Sequence, residues 1–235
     1  MSLFSPIKLD ESKKERNNYI NFFINGRNKM IKLSKTSKMP CKSFALPAMK
    51  TCLGAINSEG KVKDVCRGCY AMKGSYQWRP AKALRENNRL SVSNELHSFA
   101  SDMLKLLKKE KNNYFRWFDS GDVFDNDFLY EIYKVCKQTP HINHWIPTKA
   151  REILDNATWE KLEALDNVKV RYSSDSINGE YNSLHGSTAI QKGQRPNPKE
   201  VYTCPVGRED NEERKKCQDC RACWHSDKVV AYTFH

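Results

Sequence analysis

Between residues 114 and 176 the hydrophobic pattern alternates between two periods. "YFRWFDSGDVF" (114–124) reads as a strand ending in a polar turn. "DNDFLYEIYKVCKQ" (125–138) reads as a helix that Asp125 can cap, with Phe128, Ile132 and Val135 facing inward. "INHWIPTK" (142–149) is strand-like, "AREILDNATWEKLEALD" (150–166) is helical with Asn156 a candidate break, and "VKVRYSSDS" (168–176) is again a strand. Such a series predicts a parallel sheet with right-handed crossovers. Ligands of these sheets bind at the carboxyl ends of the strands. Here those ends read Asp119-Ser120-Gly121-Asp122, Thr148-Lys149 and Ser173-Ser174-Asp175. One polar cluster could be a helix cap or a turn; three at equivalent places mark a candidate binding site.

The flanks are less regular. Residues 1–40 are basic and carry Asn25-Gly26 between two apolar runs, a hairpin signal. Residues 41–79 are rich in turns and hold four cysteines. A helical stretch is expected from Pro80 to about Lys111, with Val92, Leu96, Phe99, Met103 and Leu106 on one apolar face. After a loop at 177–199 come a short strand at "VYTCPVG", a cysteine-rich knot and a last strand at "KVVAYTFH". The organisation expected is a basic N-terminal hairpin segment (1–40) and a single cysteine-rich β/α domain (41–235).

Nine cysteines are the second constraint. No run of about 18 apolar residues predicts a membrane span. The first residues, "MSLFSPIKLDESKKERNN", lack the apolar core of a signal peptide. The expected location is therefore the cytoplasm, where thiols stay reduced and clustered cysteines bind metal rather than form disulfides. Two groups stand out: Cys52, Cys66 and Cys69, spaced C-x13-C-x2-C, and Cys204, Cys217, Cys220 and Cys223, spaced C-x12-C-x2-C-x2-C. Zinc commonly takes two C-x2-C pairs from separate turns. Three thiols at i, i+3 and i+6 suit a [4Fe–4S] cubane better, each reaching a different iron, with Cys204 as the distal fourth ligand. Zinc remains the alternative. The first group offers three thiolates, either for a second cluster with one iron open or for a centre shared with the other group. The protein is thus expected to carry one cluster or two. Cys136 reads as a small core residue, and Cys41 as a loop cysteine outside both groups.

"SKMPCKSFALPAMKTCLG", "CRGCYAMKGSY", "FRWFDSGDVF" and "CQDCRACWHSDKVVAYTFH" together resemble a family of bacteriophage proteins, gene product 88, over roughly residues 34–235. That resemblance implies a phage-encoded protein and no particular reaction. More loosely, three cysteines ending in C-x2-C-aromatic before a β/α series are similar to radical S-adenosylmethionine (SAM) enzymes. What this implies is a partial (β/α) barrel with cysteine-rich metal-binding loops. Cys52, Cys66 and Cys69 would ligate the cluster, Tyr70 would stand beside the last ligand, and Ser120, Gly121 and Asp122 would take the place of the SAM-binding strand-end motif. The chain departs from that pattern in its thirteen-residue first gap, where the superfamily has three.

Two functions follow. One is an iron–sulfur protein on a radical-SAM-like scaffold, its catalysis open. The other is a non-catalytic module stabilised by iron–sulfur or zinc that binds nucleic acid or a host protein. Forty Lys and Arg against 28 Asp and Glu, a net charge of +12, favour a polyanionic partner. Tyr76, Trp78 and Arg79 beside Lys82 and Arg85 have the aromatic-plus-basic composition of stacking sites, or of an ordinary helix start. No G-x-S-x-G, Walker loop or H-E-x-x-H pattern is present. Of the histidines, His144 reads as structural, and His185 and His235 as candidate ligands or acid–base groups.

Overall fold

In a computed structural model of the protein, residues 30–206 and 216–234 are described. The elements in chain order are β1 (Ser34–Lys35), β2 (Lys42–Phe44), α1 (Asp64–Arg67), α2 (Arg79–Asn94), α3 (Leu96–Leu107), β3 (Tyr114–Trp117), α4 (Asn126–Gln138), β4 (Asn143–Thr148), α5 (Asn156–Glu163), β5 (Val168–Tyr172), β6 (Ser187–Ile190), β7 (Val201–Thr203), α6 (Ala222–His225) and β8 (Val229–Thr233). Five strands form a sheet in the order β1-β2-β3-β4-β5, parallel except for β1. Strands β6-β8-β7 form a second, wholly parallel sheet. A single bridge, Ser173 to Ser187, joins them, with Gly186 N–H donating to Tyr172 O at 2.9 Å.

The α/β class and the parallel sheet agree with the alternating pattern. The barrel does not: no pairing among the described residues closes β1 onto β7. The hairpin expected at Asn25-Gly26 lies outside the described residues.

Strand alternation separates two faces. Phe115 and Trp117 of β3, His144 and Ile146 of β4, and Val168 of β5 point toward α3, α4 and α5. There Phe44, Phe99, Trp117 and Phe128 meet with ring centroids 5.0 to 6.4 Å apart. Each such pair contributes about 1 kcal/mol beyond its area burial. Val92, Phe99 and Met103 are buried as expected, and Cys136 is a core residue at 0% exposure. The opposite face carries Tyr114, Arg116, Trp145, Lys169 and Arg171. The C-terminal cysteine segment packs there through Trp224, whose indole N–H donates to Phe115 O at 2.9 Å.

Several boundaries differ from expectation for local reasons. Asp125 caps α4, accepting from Asp127 N and Phe128 N. The long helix after Pro80 is two helices, broken at Glu95 (φ −136°) behind "SVSN", four weak helix formers. The 150–166 helix begins only at Asn156, where Asp155 accepts from Thr158 N. Strand β3 stops at Trp117 because Phe118 adopts φ 51°. Strand β6 lies inside the segment read as a loop, too short to show a period.

His144 is structural. Trp117 Nε1–H can only donate, so Nδ1 of His144 accepts it at 3.2 Å and Nε2–H faces Thr139 Oγ1 at 2.8 Å. Burial lowers its pKa from 6.5 to about 3.

Candidate metal centres

The thirteen residues between Cys52 and Cys66 do not separate them. Residues 56–62 form a tight hairpin, with an Ile56–Val62 bridge and Asn57 N–H donating to Lys61 O at 2.8 Å. Ala55 N–H donates to Cys52 O, and Lys63 N–H to Ala55 O. The turn holding Cys52 is thereby bonded to α1, which holds Cys66, and Cys69 N–H donates to Cys66 O at 3.1 Å. The three thiols lie close enough that Cys66 and Cys69 both raise the pKa of Cys52. Burial is the larger cause and pushes the Cys52 thiol up to about 12. Burial also raises Cys66, against the opposing pull of Lys149.

This group sits at the carboxyl ends of β3, β4 and β5, where all three strand-end clusters meet it. Asp122 lies beside Cys52. Its carboxylate accepts from Val123 N at 2.8 Å and Lys149 N at 2.7 Å. Burial nevertheless raises its pKa to about 7. Lys149 Nζ donates to Ser173 O at 2.9 Å and to Asp175 Oδ1 at 2.8 Å, while Lys63 pairs with Asp175 at 2.7 Å. Asp119 accepts from Ser43 and Tyr76, and its carbonyl from Tyr70 Oη at 2.6 Å. The Ser120 hydroxyl is buried and has no partner among the described residues. Two glycines permit this packing. Gly121 has φ 76°, and a Cβ there would lie 2.6 Å from both Leu46 Cβ and Thr51 Oγ1. A Cβ at Gly54 would lie 2.2 Å from the Lys149 carbonyl oxygen.

Cys204, Cys217, Cys220 and Cys223 line a single pocket with Tyr202 and Trp224. Each cysteine arrives from a fixed backbone. Cys204 N–H donates to Ala231 O of β8, Cys217 N–H to Lys38 O, and Cys223 lies in α6. The Cys220 and Cys223 sulfurs stand 3.3 Å from the hydroxyls of Tyr202 and Tyr232. Burial pushes Cys204 up to about 12 and raises Cys223.

Arg171 locks this segment to the sheet. It is 1% exposed, and its guanidinium donates to five carbonyls: Cys223, Gly186, Lys228, Ala222 and Ser226, at 2.7 to 3.3 Å. No carboxylate among the described residues forms an ion pair with it, although Asp227 is an electrostatic neighbour, and its charge faces carbonyl dipoles, Tyr232 and the Cys223 thiol. Arg116 occupies the space toward the first group, 4.5 Å over the Trp145 ring and 3.0 Å from Tyr70 Oη.

Among the described residues, no three Cys, His, Asp or Glu side chains converge as ligands of a single ion would. A tetrahedral zinc with Zn–S bonds of about 2.3 Å draws its four sulfurs to roughly 3.8 Å of one another. A cubane places each thiolate on a separate iron corner and holds them farther apart. Four thiols lining one pocket form an all-sulfur donor set of the kind that either group takes.

Sequence patterns missed several contributors. Cys41 is no isolated loop thiol: it is buried against Trp145 and Trp224 and is an electrostatic neighbour of Cys217. Nothing in "VKVRY" distinguishes Arg171 from Lys169, which shares its face of the strand. Of the aromatic-plus-basic set, Arg85 stacks on Tyr76 at 4.6 Å and is buried, whereas Trp78 is 68% exposed. His185 stacks on Tyr172 at 4.8 Å, and its Nδ1 accepts from Asn182 N. His235 lies outside the described residues. No helix among those residues is long and apolar enough to cross a membrane.

No curated protein and no solved structure matches the chain. Residues 21–226 match one protein family, described as gene product 88, and the chain belongs to that family.

Proposed function

We propose that this protein is an iron–sulfur protein with two centres. Cys204, Cys217, Cys220 and Cys223 hold a [4Fe–4S] cluster that fixes the C-terminal segment against the sheet. Cys52, Cys66 and Cys69 hold a second cluster at the strand ends, with one iron free of protein ligands. The observation that carries this reading is the lining of one pocket by four cysteines, Cys204, Cys217, Cys220 and Cys223. The donor sets support it further, since each is all-thiol and each has a cation nearby to offset thiolate charge: Arg171 at one, Lys149 at the other.

An iron–sulfur cluster supplies one-electron chemistry, and an open iron supplies a ligand position. What this chain contributes at the open centre is positioning. Asp122 and Lys149 fix the ends of β3 and β4 to one another, and the Ser120 hydroxyl is left to a ligand. SAM is one candidate ligand, whose polar end Ser120, Gly121 and Asp122 would hold.

Purification without air tests the proposal. Brown protein absorbing at about 400 nm, with iron and sulfide in near-equal amounts, is expected. Colourless protein with one zinc per chain overturns it and leaves a zinc-stabilised module. Adding SAM and a reductant, then assaying 5′-deoxyadenosine, decides whether SAM is the open-site ligand.

A further inference from the structure

The segment that carries the first cysteine group is unusually apolar at its surface. Of the ten large hydrophobic residues that are exposed among the described residues, five lie between positions 53 and 78: Leu53, Ile56, Tyr70, Met72 and Trp78. Trp78 is the most open of these at 68%, while the other four tryptophans are at most 5% exposed. Its position is fixed. It opens α2, its carbonyl accepts from Lys82 N–H at 3.0 Å, and its own N–H donates to Ser75 O at 3.2 Å. Arg85 holds the turn before it, stacking on Tyr76 and donating to Tyr76 O at 2.6 Å.

The cations around this segment fall into two sets. Lys50, Lys61, Lys63 and Arg67 are each paired with a carboxylate. Lys73, Arg79 and Lys82 are exposed and have no carboxylate partner among the described residues. The nearest acid along α2, Glu86, is held by Lys50 and Arg89. An exposed indole flanked by three uncompensated cations is complementary to a ligand with flat aromatic faces and closely spaced anions.

We propose that this rim binds single-stranded nucleic acid, a base stacking on Trp78 while Lys73, Arg79 and Lys82 contact phosphates. A duplex hides its base faces and cannot use the indole in this way. The proposal stands whether the cysteines hold iron, zinc or neither, so its failure and that of the iron–sulfur reading are separate results.

The test uses the full chain as purified and a fluorescently labelled twelve-residue oligothymidylate, followed by anisotropy. Binding is expected to weaken roughly twentyfold between 50 and 200 mM salt, as about three phosphate contacts require. Trp78→Ala is expected to weaken binding about tenfold with the salt slope unchanged. The triple variant Lys73→Ala, Arg79→Ala, Lys82→Ala is expected to flatten the slope. A control with the same charge loss elsewhere (Lys134→Ala, Lys137→Ala, Lys161→Ala) should change affinity less than twofold. No binding at 50 mM salt overturns the proposal, as does equal loss in the two triple variants. Full affinity in Trp78→Ala, or preference for a duplex of the same length, removes the stacking site. Arg85 is left intact, every substituted side chain is exposed except half-exposed Lys134, which pairs with Glu131, and an unchanged melting temperature verifies that each variant folds.

Discussion

The two cysteine groups share a chemistry and differ in how they are built. The C-terminal four line one pocket, two of their sulfurs lie beside tyrosine hydroxyls, and Arg171 binds four carbonyls of the segment between Ala222 and Lys228. The first three lie on short turns at the open ends of the strands, beside Asp122, Lys149 and an unpartnered Ser120 hydroxyl. On the proposed reading, the first kind of centre serves structure and the second, set among strand-end polar groups, serves binding or chemistry. The comparison assigns different consequences to equivalent substitutions.

The largest effect belongs to the C-terminal centre. Cys220→Ser is expected to lose the C-terminal metal and with it the packing of β7, α6 and β8. Metal binding to structural sites is worth about 10 kcal/mol, so calorimetry should show a drop of many degrees. Hydrogen exchange should show protection lost first in residues 216–234. Arg171→Met comes next. It leaves five carbonyls without their donor, at a cost of roughly 4 kcal/mol, measured by denaturant unfolding. An effect below about 1 kcal/mol would mean that the segment is not pinned from the sheet.

Acid should remove both centres together, because it acts on the scaffold they share. His144 is neutral in the core, with its pKa lowered from 6.5 to about 3. A group depressed on folding contributes stability that is present above its unfolded pKa and lost as pH falls below it. Between pH 6.5 and 4.5 His144 alone therefore removes about 2 kcal/mol. His144→Leu should reduce that slope relative to the parent in urea titrations at each pH. The smallest effect is expected for Cys52→Ser: a stability change within about 1 kcal/mol, because the hairpin and its backbone bonds remain, with loss of metal from the first centre only. A loss as large as that of Cys220→Ser would erase the distinction.

Much of this was legible in the residues. The period change between 114 and 176 yields the parallel strands and α4, because Asp125 caps in the way its position suggests and Phe128, Ile132 and Val135 fall on one face. The three strand-end clusters meet as the parallel arrangement requires. Other features depend on tertiary contacts that carry no local signal. The thirteen-residue gap after Cys52 looks prohibitive in sequence, yet the Ile56–Val62 bridge closes it. The role of Arg171 depends on carbonyls up to 57 positions away. Strand β6 has four residues and is defined by its partners rather than by any pattern of its own.

The central claim is that the C-terminal cysteines hold a cluster of their own. The most direct measurement is iron and acid-labile sulfide in the triple variant Cys52→Ser, Cys66→Ser, Cys69→Ser, purified without air. The account predicts about four irons and four sulfides per chain, with the C-terminal segment folded. A single zinc per chain, or no metal with that segment still folded, would contradict it.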